Sequence, residues 1–140
     1  MIADIGDADH VARYCSPRKL EEDGTPAPGA FKLRDYDDCC LSVNWLECFE
    51  GQSVDANIQH VRKELRKHYK TKKSGKLAVL NVGMAKRATK TTNKVDISVR
   101  EDPQDGYRSH ACIGGYSTTN NEVATTLSEI VRENDMYRAV

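Results

Sequence analysis

The segment SVDANIQHVRKELRKHYK at residues 53–70, followed by KLAVLNVGMAK at 76–86, decides the fold class. Ser53 is a typical helix N-cap, and Asp55 in the first turn complements the helix dipole. Apolar residues then recur every three or four positions, which predicts an amphipathic helix with one buried stripe. The stripe consists of Val54, Ile58, Val61, Leu65 and Tyr69. Residues 76–86 carry apolar side chains at both odd and even positions, which predicts a central strand of a sheet.

Shorter segments around this helix and strand complete a sheet. Alternating or short apolar runs predict strands at 11–15, 31–34, 40–49, 95–100 and 109–113. The polar connector 88–94 predicts an antiparallel hairpin between 76–86 and 95–100. A last helix is expected to begin at Asn120 or Asn121, with a buried stripe of Val123, Leu127, Ile130 and Val131. The predicted fold is α+β: a single-layer, mostly antiparallel sheet of about five strands with two amphipathic helices packed on one face.

The length of 140 residues is that of one domain, so we expect residues 1–140 to form a single domain. The acidic residues 1–10 are expected to be flexible. The segment 21–30 is rich in Pro and Gly and predicts a loop, and Asp35 to Asp38 predicts a polar turn.

No apolar run approaches the roughly 20 residues of a membrane helix, so no membrane partner is predicted. The acidic start does not resemble a secretory signal, which favours a cytoplasmic location.

The five cysteines cannot all pair within one chain, and we expect reduced thiols. Ligand pairs at zinc-finger spacing are missing, so the sequence predicts neither a metal site nor a cofactor.

Charge is unevenly placed along the chain although its net value is zero. Residues 61–100 contain thirteen basic and two acidic residues, whereas 1–60 and 101–140 are acidic. The densest cluster, the basic face, comprises Arg62, Lys63, Arg66, Lys67, Lys70, Lys72, Lys73 and Lys76, with Lys86, Arg87, Lys90 and Lys94 as an extension. This face is either solvated, or paired with acidic segments of the same chain or of a neighbour in a homo-oligomer, or open to an anionic partner.

Two functional hypotheses follow from these features. The first is a non-enzymatic binding or accessory module whose basic face binds nucleic acid or an acidic protein surface. The second is a small enzyme that acts on a nucleotide or nucleic acid. In it His110 is the acid or base, and Arg13, Arg34 and Arg108 form a phosphate pocket. The second hypothesis predicts that His110 lies in a concave pocket with Arg13, Arg34 or Arg108 within reach.

Two smaller patterns accompany the second hypothesis. Cys112 follows His110 by two positions, so in a strand both side chains share a face and a Cys–His dyad is conceivable. The other interpretation is a hydrogen-bonded His beside a buried Cys. Asn44 faces away from its neighbour Trp45 in the strand, and a buried Asn44 would need polar partners such as those of a pocket.

Overall fold

Strands and helices alternate along the chain in the computed structural model, which describes residues 3–34, 40–119 and 121–140. The strands are β1 (His10–Cys15), β2 (Leu41–Trp45), β3 (Lys76–Asn81), β4 (Ser98–Glu101), β5 (His110–Gly114) and β6 (Met136–Arg138). The α-helices are α1 (Val54–His68), α2 (Val82–Asn93) and α3 (Asn121–Glu129). The strands form one antiparallel sheet in the order β4-β5-β2-β1-β3-β6. The α+β class and the single antiparallel sheet are therefore confirmed.

The sheet buries apolar side chains on both faces, so it carries helices on both. Val43 and Leu80 belong to the larger core cluster, which also contains residues of α2 and α3. Ala12, Leu77 and Val79 belong to a second cluster with the buried stripe of α1. The described residues form six strands and three helices, close to the predicted five strands and two helices, but the two predicted helices, α1 and α3, pack on opposite faces rather than on one. A central strand that is apolar on both faces needs a covering layer on each.

The helix α2 replaces the second half of a predicted strand and the predicted hairpin connector. The side-chain oxygen of Asn81 accepts a hydrogen bond from the N–H of Met84 at 2.9 Å, which is an N-cap. Val82, Ala85 and Thr89 then fall on one buried helical face. The apolar residues between 76 and 86 fit both the two-residue period of a strand and the 3.6-residue period of a helix. The N-cap at Asn81 decides where the strand ends and the helix begins. The hairpin prediction was therefore wrong: β3 pairs with β1 and β6, while β4 pairs with β5.

Three further differences are local. The predicted strand 31–34 is absent, because a 3-10 helix at Pro28–Phe31 precedes irregular chain. The predicted strand 40–49 ends early and gives way to a 3-10 helix at Glu47–Phe49. The short strand β6 was not predicted. The turn predicted at Asp35 to Asp38 and the possible cap Asn120 lie outside the described residues.

The acidic N-terminal segment contributes to the core. Ile5 is only 2% exposed, and its N–H donates to the carbonyl of Val99 in the edge strand β4 at 2.9 Å. Asp4 lies beside Arg100 of the same strand, with 3.1 Å between the carboxylate and guanidinium atoms. The segment thus covers an edge that would otherwise expose unpaired backbone groups.

We predict that Gly115→Ala destabilises the fold by about 1–3 kcal/mol, because Gly115 has φ +93°. An added Cβ would also lie 2.6 Å from the carbonyl oxygen of Asp96. Urea unfolding measures the effect. The matched control is Gly6→Ala, since a Cβ at Gly6 meets no atom within 4 Å among the described residues. Equal free energies of unfolding for the two variants would contradict the prediction.

Candidate active site

A gap between two central strands borders a cavity. β1 and β2 pair only at Val11–Trp45 and Ala12–Asn44, although both strands continue beyond these positions. The guanidinium of Arg13 lies in the gap. Its Nε donates to the carbonyl of Ala30 at 2.8 Å and its Nη1 to the carbonyl of Ser42 at 2.9 Å. The side chain of Arg13 therefore replaces backbone pairing where the strands separate.

The cavity beside this gap has a volume of about 320 Å³, which suits a small ligand. Three of its lining side chains are cationic, namely those of Arg13, Lys19 and Arg34. No carboxylate contributes to the lining among the residues that the structure describes. The remaining walls come from Tyr14, Ser16, Ser42, Asn44, Leu65, Tyr69 and Tyr107. This charge favours an anionic ligand.

A line of three polar side chains ends at the cavity wall. The Oγ of Ser42 lies 3.1 Å from Nε2 of His110. Nδ1 of His110 is hydrogen-bonded to the backbone carbonyl of Asp102 at 3.1 Å and lies 3.1 Å from the Oδ2 of the same residue. His110 is 6% exposed and does not itself line the cavity, so it reaches the cavity only through Ser42. The register of β2 and β5 places Ser42 and His110 on one sheet face, and the N–H of Asp102 donates to the carbonyl of His110. The order Asp–His–Ser is the arrangement that activates a serine in hydrolases.

A second hydrogen-bond network supports the cavity floor. The amide nitrogen of Asn44 donates to Ser109 Oγ at 2.9 Å and to the Tyr107 hydroxyl at 3.2 Å. Ser109 Oγ donates in turn to Glu64 of α1 at 2.6 Å. Burial raises the pKa of Tyr107 to about 12, so its hydroxyl stays protonated and can donate. The buried Asn44 thus has the polar partners that its position requires.

The structure brings together two of the three arginines predicted for a phosphate pocket. Arg13 and Arg34 line the cavity, but Arg108 does not. The guanidinium of Arg108 instead donates to the carbonyl of Cys48 and lies over the ring of Phe49, 5.5 Å from its centroid. Its placement in the pocket was wrong, because cation–π and carbonyl contacts hold it over the 3-10 helix that follows β2.

Within the described part of the chain, no acidic group pairs with the basic face. Among the described residues, no carboxylate lies within 4.0 Å of the cationic groups of the helix and turn at 62–76. Arg62 donates to the carbonyl of Arg138, and most of the other side chains are exposed. The backbone N–H of Lys72 donates to the hydroxyl of Tyr14, a cavity residue, so the turn borders the cavity. The members of this face are Arg62, Lys63, Arg66, Lys67, Lys70, Lys72, Lys73 and Lys76.

The proposed extension of this face differs from it in charge pairing. Lys86 lies 3.6 Å from a carboxylate oxygen of Asp7, and Lys90 lies 3.2 Å from one of Asp96. Arg87 is exposed on the same helix, and the ammonium of Lys94 donates to a carbonyl. Part of the positive charge in this region is therefore balanced within the chain.

A disulfide joins Cys40 to Cys112, with 5.2 Å between the Cα atoms. The expectation of reduced thiols was wrong for this pair, because cysteines 72 positions apart meet only through the pairing of β2 and β5. Cys112 is thus not a free nucleophile for a Cys–His dyad. Cys15 and Cys48 are free thiols, and burial raises the pKa of each to about 11. Cys39 lies outside the described residues.

Sequence reasoning missed Ser42, Lys19 and Asp102 as site residues. Ser42 shares a strand face with Asn44, but its residue type and its neighbours in the sequence do not distinguish it from other serines. Asp102 belongs to a turn in the sequence, and only the pairing of β4 with β5 brings it to His110.

Comparisons with protein-family models, curated proteins and solved structures find no match for this chain. Within the described ranges, every helix is too short or too polar to cross a membrane. The chemistry of the cavity is therefore argued from its geometry alone.

We predict that the Cys40–Cys112 disulfide removes two titratable thiols from the unreduced chain. Protein purified without reductant and denatured in urea should show two fewer reactive thiols than the reduced chain. Cys40→Ser and Cys112→Ser should each release the partner thiol, whereas Cys48→Ser should leave the disulfide intact. Peptide mapping under non-reducing conditions identifies the linked pair. An unreduced chain in which every cysteine reacts would refute the assignment.

Proposed function

We propose that the chain is a small enzyme that cleaves a phosphate ester of a nucleotide or nucleic acid. The observation that carries this proposal is the Ser42–His110–Asp102 line, which reaches a cavity lined by Arg13, Arg34 and Lys19. A hydroxyl beside an imidazole, which a carboxylate orients, is the general form of an activated nucleophile. The cationic lining selects an anionic substrate.

In the proposed mechanism, Ser42 and His110 are the catalytic residues and Asp102 is a positioning residue. The Nδ1–H of His110 donates to the backbone carbonyl of Asp102, whose Oδ2 lies equally close, so the lone pair on Nε2 faces Ser42. The Oγ of Ser42 attacks phosphorus while its proton passes to Nε2. The P–O bond to the leaving group breaks, and the leaving oxygen takes the proton from the imidazolium. Water, deprotonated by His110, then attacks phosphorus, the Ser42–phosphorus bond breaks, and the Oγ of Ser42 takes the proton back from the imidazolium as the product leaves.

The cavity walls supply binding and orientation. Arg34 and Lys19 bring positive charge to the phosphoryl oxygens. Arg13 adds charge at a fixed place, because its bonds to Ala30 and Ser42 hold the guanidinium against the nucleophile's strand. The ring of Tyr69, which is 52% exposed, offers a surface on which a base can stack.

The open basic face favours a polyanionic substrate and also supports a second candidate function. Within the described part of the chain its cations lack carboxylate partners, and its turn borders the cavity, so a nucleic-acid backbone can contact both. In the second candidate the chain is a non-enzymatic module that binds nucleic acid through this face alone. Its other possible occupants are an acidic protein surface or the acidic part of a second copy of the chain. We place either function in the cytoplasm.

We predict that Ser42→Ala and His110→Ala each lower kcat for phosphodiester cleavage by about 10²- to 10⁴-fold. The assay uses bis(p-nitrophenyl) phosphate, dinucleotides and short single-stranded RNA and DNA. Arg34→Gln should raise KM more than it lowers kcat, since Arg34 is proposed to bind the phosphate. Ser117→Ala is the control for Ser42, because its hydroxyl bonds to Thr119 in an exposed loop. Full activity in Ser42→Ala would exclude the mechanism.

We also predict salt-dependent binding of single-stranded nucleic acid by the basic face. The triple variant Arg66→Glu, Lys67→Glu and Lys70→Glu should bind more weakly. The slope of log Kd against log salt should fall by about 0.7 for each phosphate that the variant no longer neutralises. Fluorescence anisotropy with labelled oligonucleotides measures both effects. Lys86→Glu with Lys90→Glu is the control, since both lysines are paired within the chain. A larger effect in the control variant would place binding elsewhere.

A further inference from the structure

Four side chains that can ligate a metal converge beside the proposed nucleophile. The Oδ2 of Asp102 lies 3.1 Å from Nδ1 of His110 and 3.8 Å from the sulfur of Cys112. One ligand atom from each of these three residues lies within 4.8 Å of the others. The sulfur of Cys40 is bonded to that of Cys112, so it is adjacent to the same point. We propose that reduction of the Cys40–Cys112 disulfide creates a zinc site whose ligands are Cys40, Cys112, His110 and Asp102.

The distances match those of a zinc centre. Zinc binds sulfur at about 2.3 Å and nitrogen or oxygen at about 2.0–2.2 Å, so tetrahedral ligand atoms lie roughly 3.3–3.8 Å apart. The two contacts made by Asp102 already fall close to this range. After reduction the sulfurs of Cys40 and Cys112 need to separate by about 1–2 Å for an ion to fit, which is the change expected when a covalent bond becomes a ligand pair.

The fold fixes these ligands on neighbouring strands. His110 and Cys112 stand two positions apart on the same face of β5, and Cys40 directly precedes β2, which pairs with β5. Asp102 directly follows β4 on the other side of β5, and its backbone N–H is bonded to the carbonyl of His110. Three adjacent strands thus hold the site with little freedom, which lowers the entropy lost on metal binding.

The donor set selects the metal. Two thiolates and an imidazole favour Zn²⁺ over Mg²⁺ or Ca²⁺, which prefer oxygen ligands. Nε2 of His110 already has a partner in the hydroxyl of Ser42, as expected for the second nitrogen of a metal-bound histidine. The side chain of Asp102 is 36% exposed, which gives an ion access from solvent.

The redox step is an ordinary disulfide reduction. A trialkylphosphine supplies two electrons and takes up an oxygen atom from water, and the two protons of that water go to the sulfurs of Cys40 and Cys112. Zn²⁺ then displaces both thiol protons as the thiolates bind. In the oxidised chain these sulfurs have no thiolate to offer, so oxidation excludes zinc from the site.

The experiment is a Zn²⁺ titration of the full chain, oxidised or reduced with phosphine, followed by calorimetry and by competition with a chromogenic chelator. The reduced chain should bind about one equivalent of zinc, and the oxidised chain should bind at least about 100-fold more weakly. Co²⁺ should give a thiolate-to-metal charge-transfer band only in the reduced chain. Equal zinc affinity in both redox states, or no zinc binding after reduction, would overturn the proposal.

Variants locate the ligands. Loss of a residue that only orients a metal ligand costs roughly 10- to 100-fold in affinity, so loss of a ligand itself in Cys40→Ser or His110→Ala should cost more than about 100-fold. Cys48→Ser is the matched control, since Cys48 is a free thiol outside the cluster. Circular dichroism checks that each variant is folded, and a rise in the Tm of the reduced wild-type chain with zinc tests binding without any substitution. Retained affinity in folded Cys40→Ser would remove Cys40 from the site.

A consequence for activity rests on the proposed function. Zinc on Nδ1 leaves the proton of His110 on Nε2, which then cannot accept the proton of Ser42. Zinc should therefore inhibit the reduced enzyme and leave the oxidised enzyme unaffected. Ser42→Ala separates the two proposals, because it should lower phosphodiester cleavage by about 10²- to 10⁴-fold, while the reduced variant still binds zinc with an affinity at most about 10- to 100-fold weaker. Zinc binding with no Ser42-dependent activity in any redox state would reject only the enzyme.

Discussion

The guanidinium of Arg13 occupies the position on which the whole cavity depends. β1 pairs along its full length with β3 but contacts β2 at only two positions, so the centre of the sheet is split on one side. The carbonyl of Ser42 accepts a hydrogen bond from Arg13 in place of a strand partner, and the carbonyl of Ala30, in the 3-10 helix Pro28–Phe31, accepts a second. Without Arg13, both partly buried carbonyls would lose this donor. The same contact fixes the strand that carries Ser42.

Helices pack on both faces of the sheet and stabilise it despite this split. On one face, α2 and α3 pack against a continuous apolar surface that includes Leu41, Val43 and Ile113. On the other face, α1 covers the part of the sheet around Leu77 and Val79, while β2 and β5 present polar side chains there. The division between an apolar and a polar half of one sheet face places Ser42, Asn44 and His110 together. One half of this sheet face is therefore buried core, and the other half carries the polar side chains of the candidate site.

Much of the fold could be predicted from the sequence because its signals are periodic. Helix α1 begins directly after its predicted cap, Ser53, and ends at His68, within two residues of the end expected from its apolar stripe. The helix α2 could not be predicted in the same way, because the run from Leu77 to Ala85 satisfies both a strand and a helix period. Only the hydrogen bond from the backbone N–H of Met84 to the side-chain oxygen of Asn81 marks the end of β3 and the start of α2. β6 has three residues, too few for a pattern.

The candidate site was harder to predict because it is built by pairing across distant segments. The sequence singles out His110 by its residue type, and Arg13 and Arg34 by their charge. Ser42 and Asp102 carry no local signal, since they lie 68 and 8 positions from His110 and meet it through strand register. The cysteines show the same limit. An odd count excludes complete pairing but leaves a single cross-strand disulfide open.

His110 belongs to two arrangements that use the same atoms in different ways. In the enzyme, Nδ1 carries the proton and bonds to Asp102, so that Nε2 is a base for Ser42. In the metal site, Nδ1 gives its lone pair to zinc and Nε2 carries the proton. One imidazole cannot hold both tautomers at once, so the two arrangements exclude each other. The disulfide between Cys40 and Cys112 favours the first, because it withholds two of the ligands that the second requires. If both proposals hold, the redox state of one cysteine pair selects the tautomer of the histidine that stands behind Ser42.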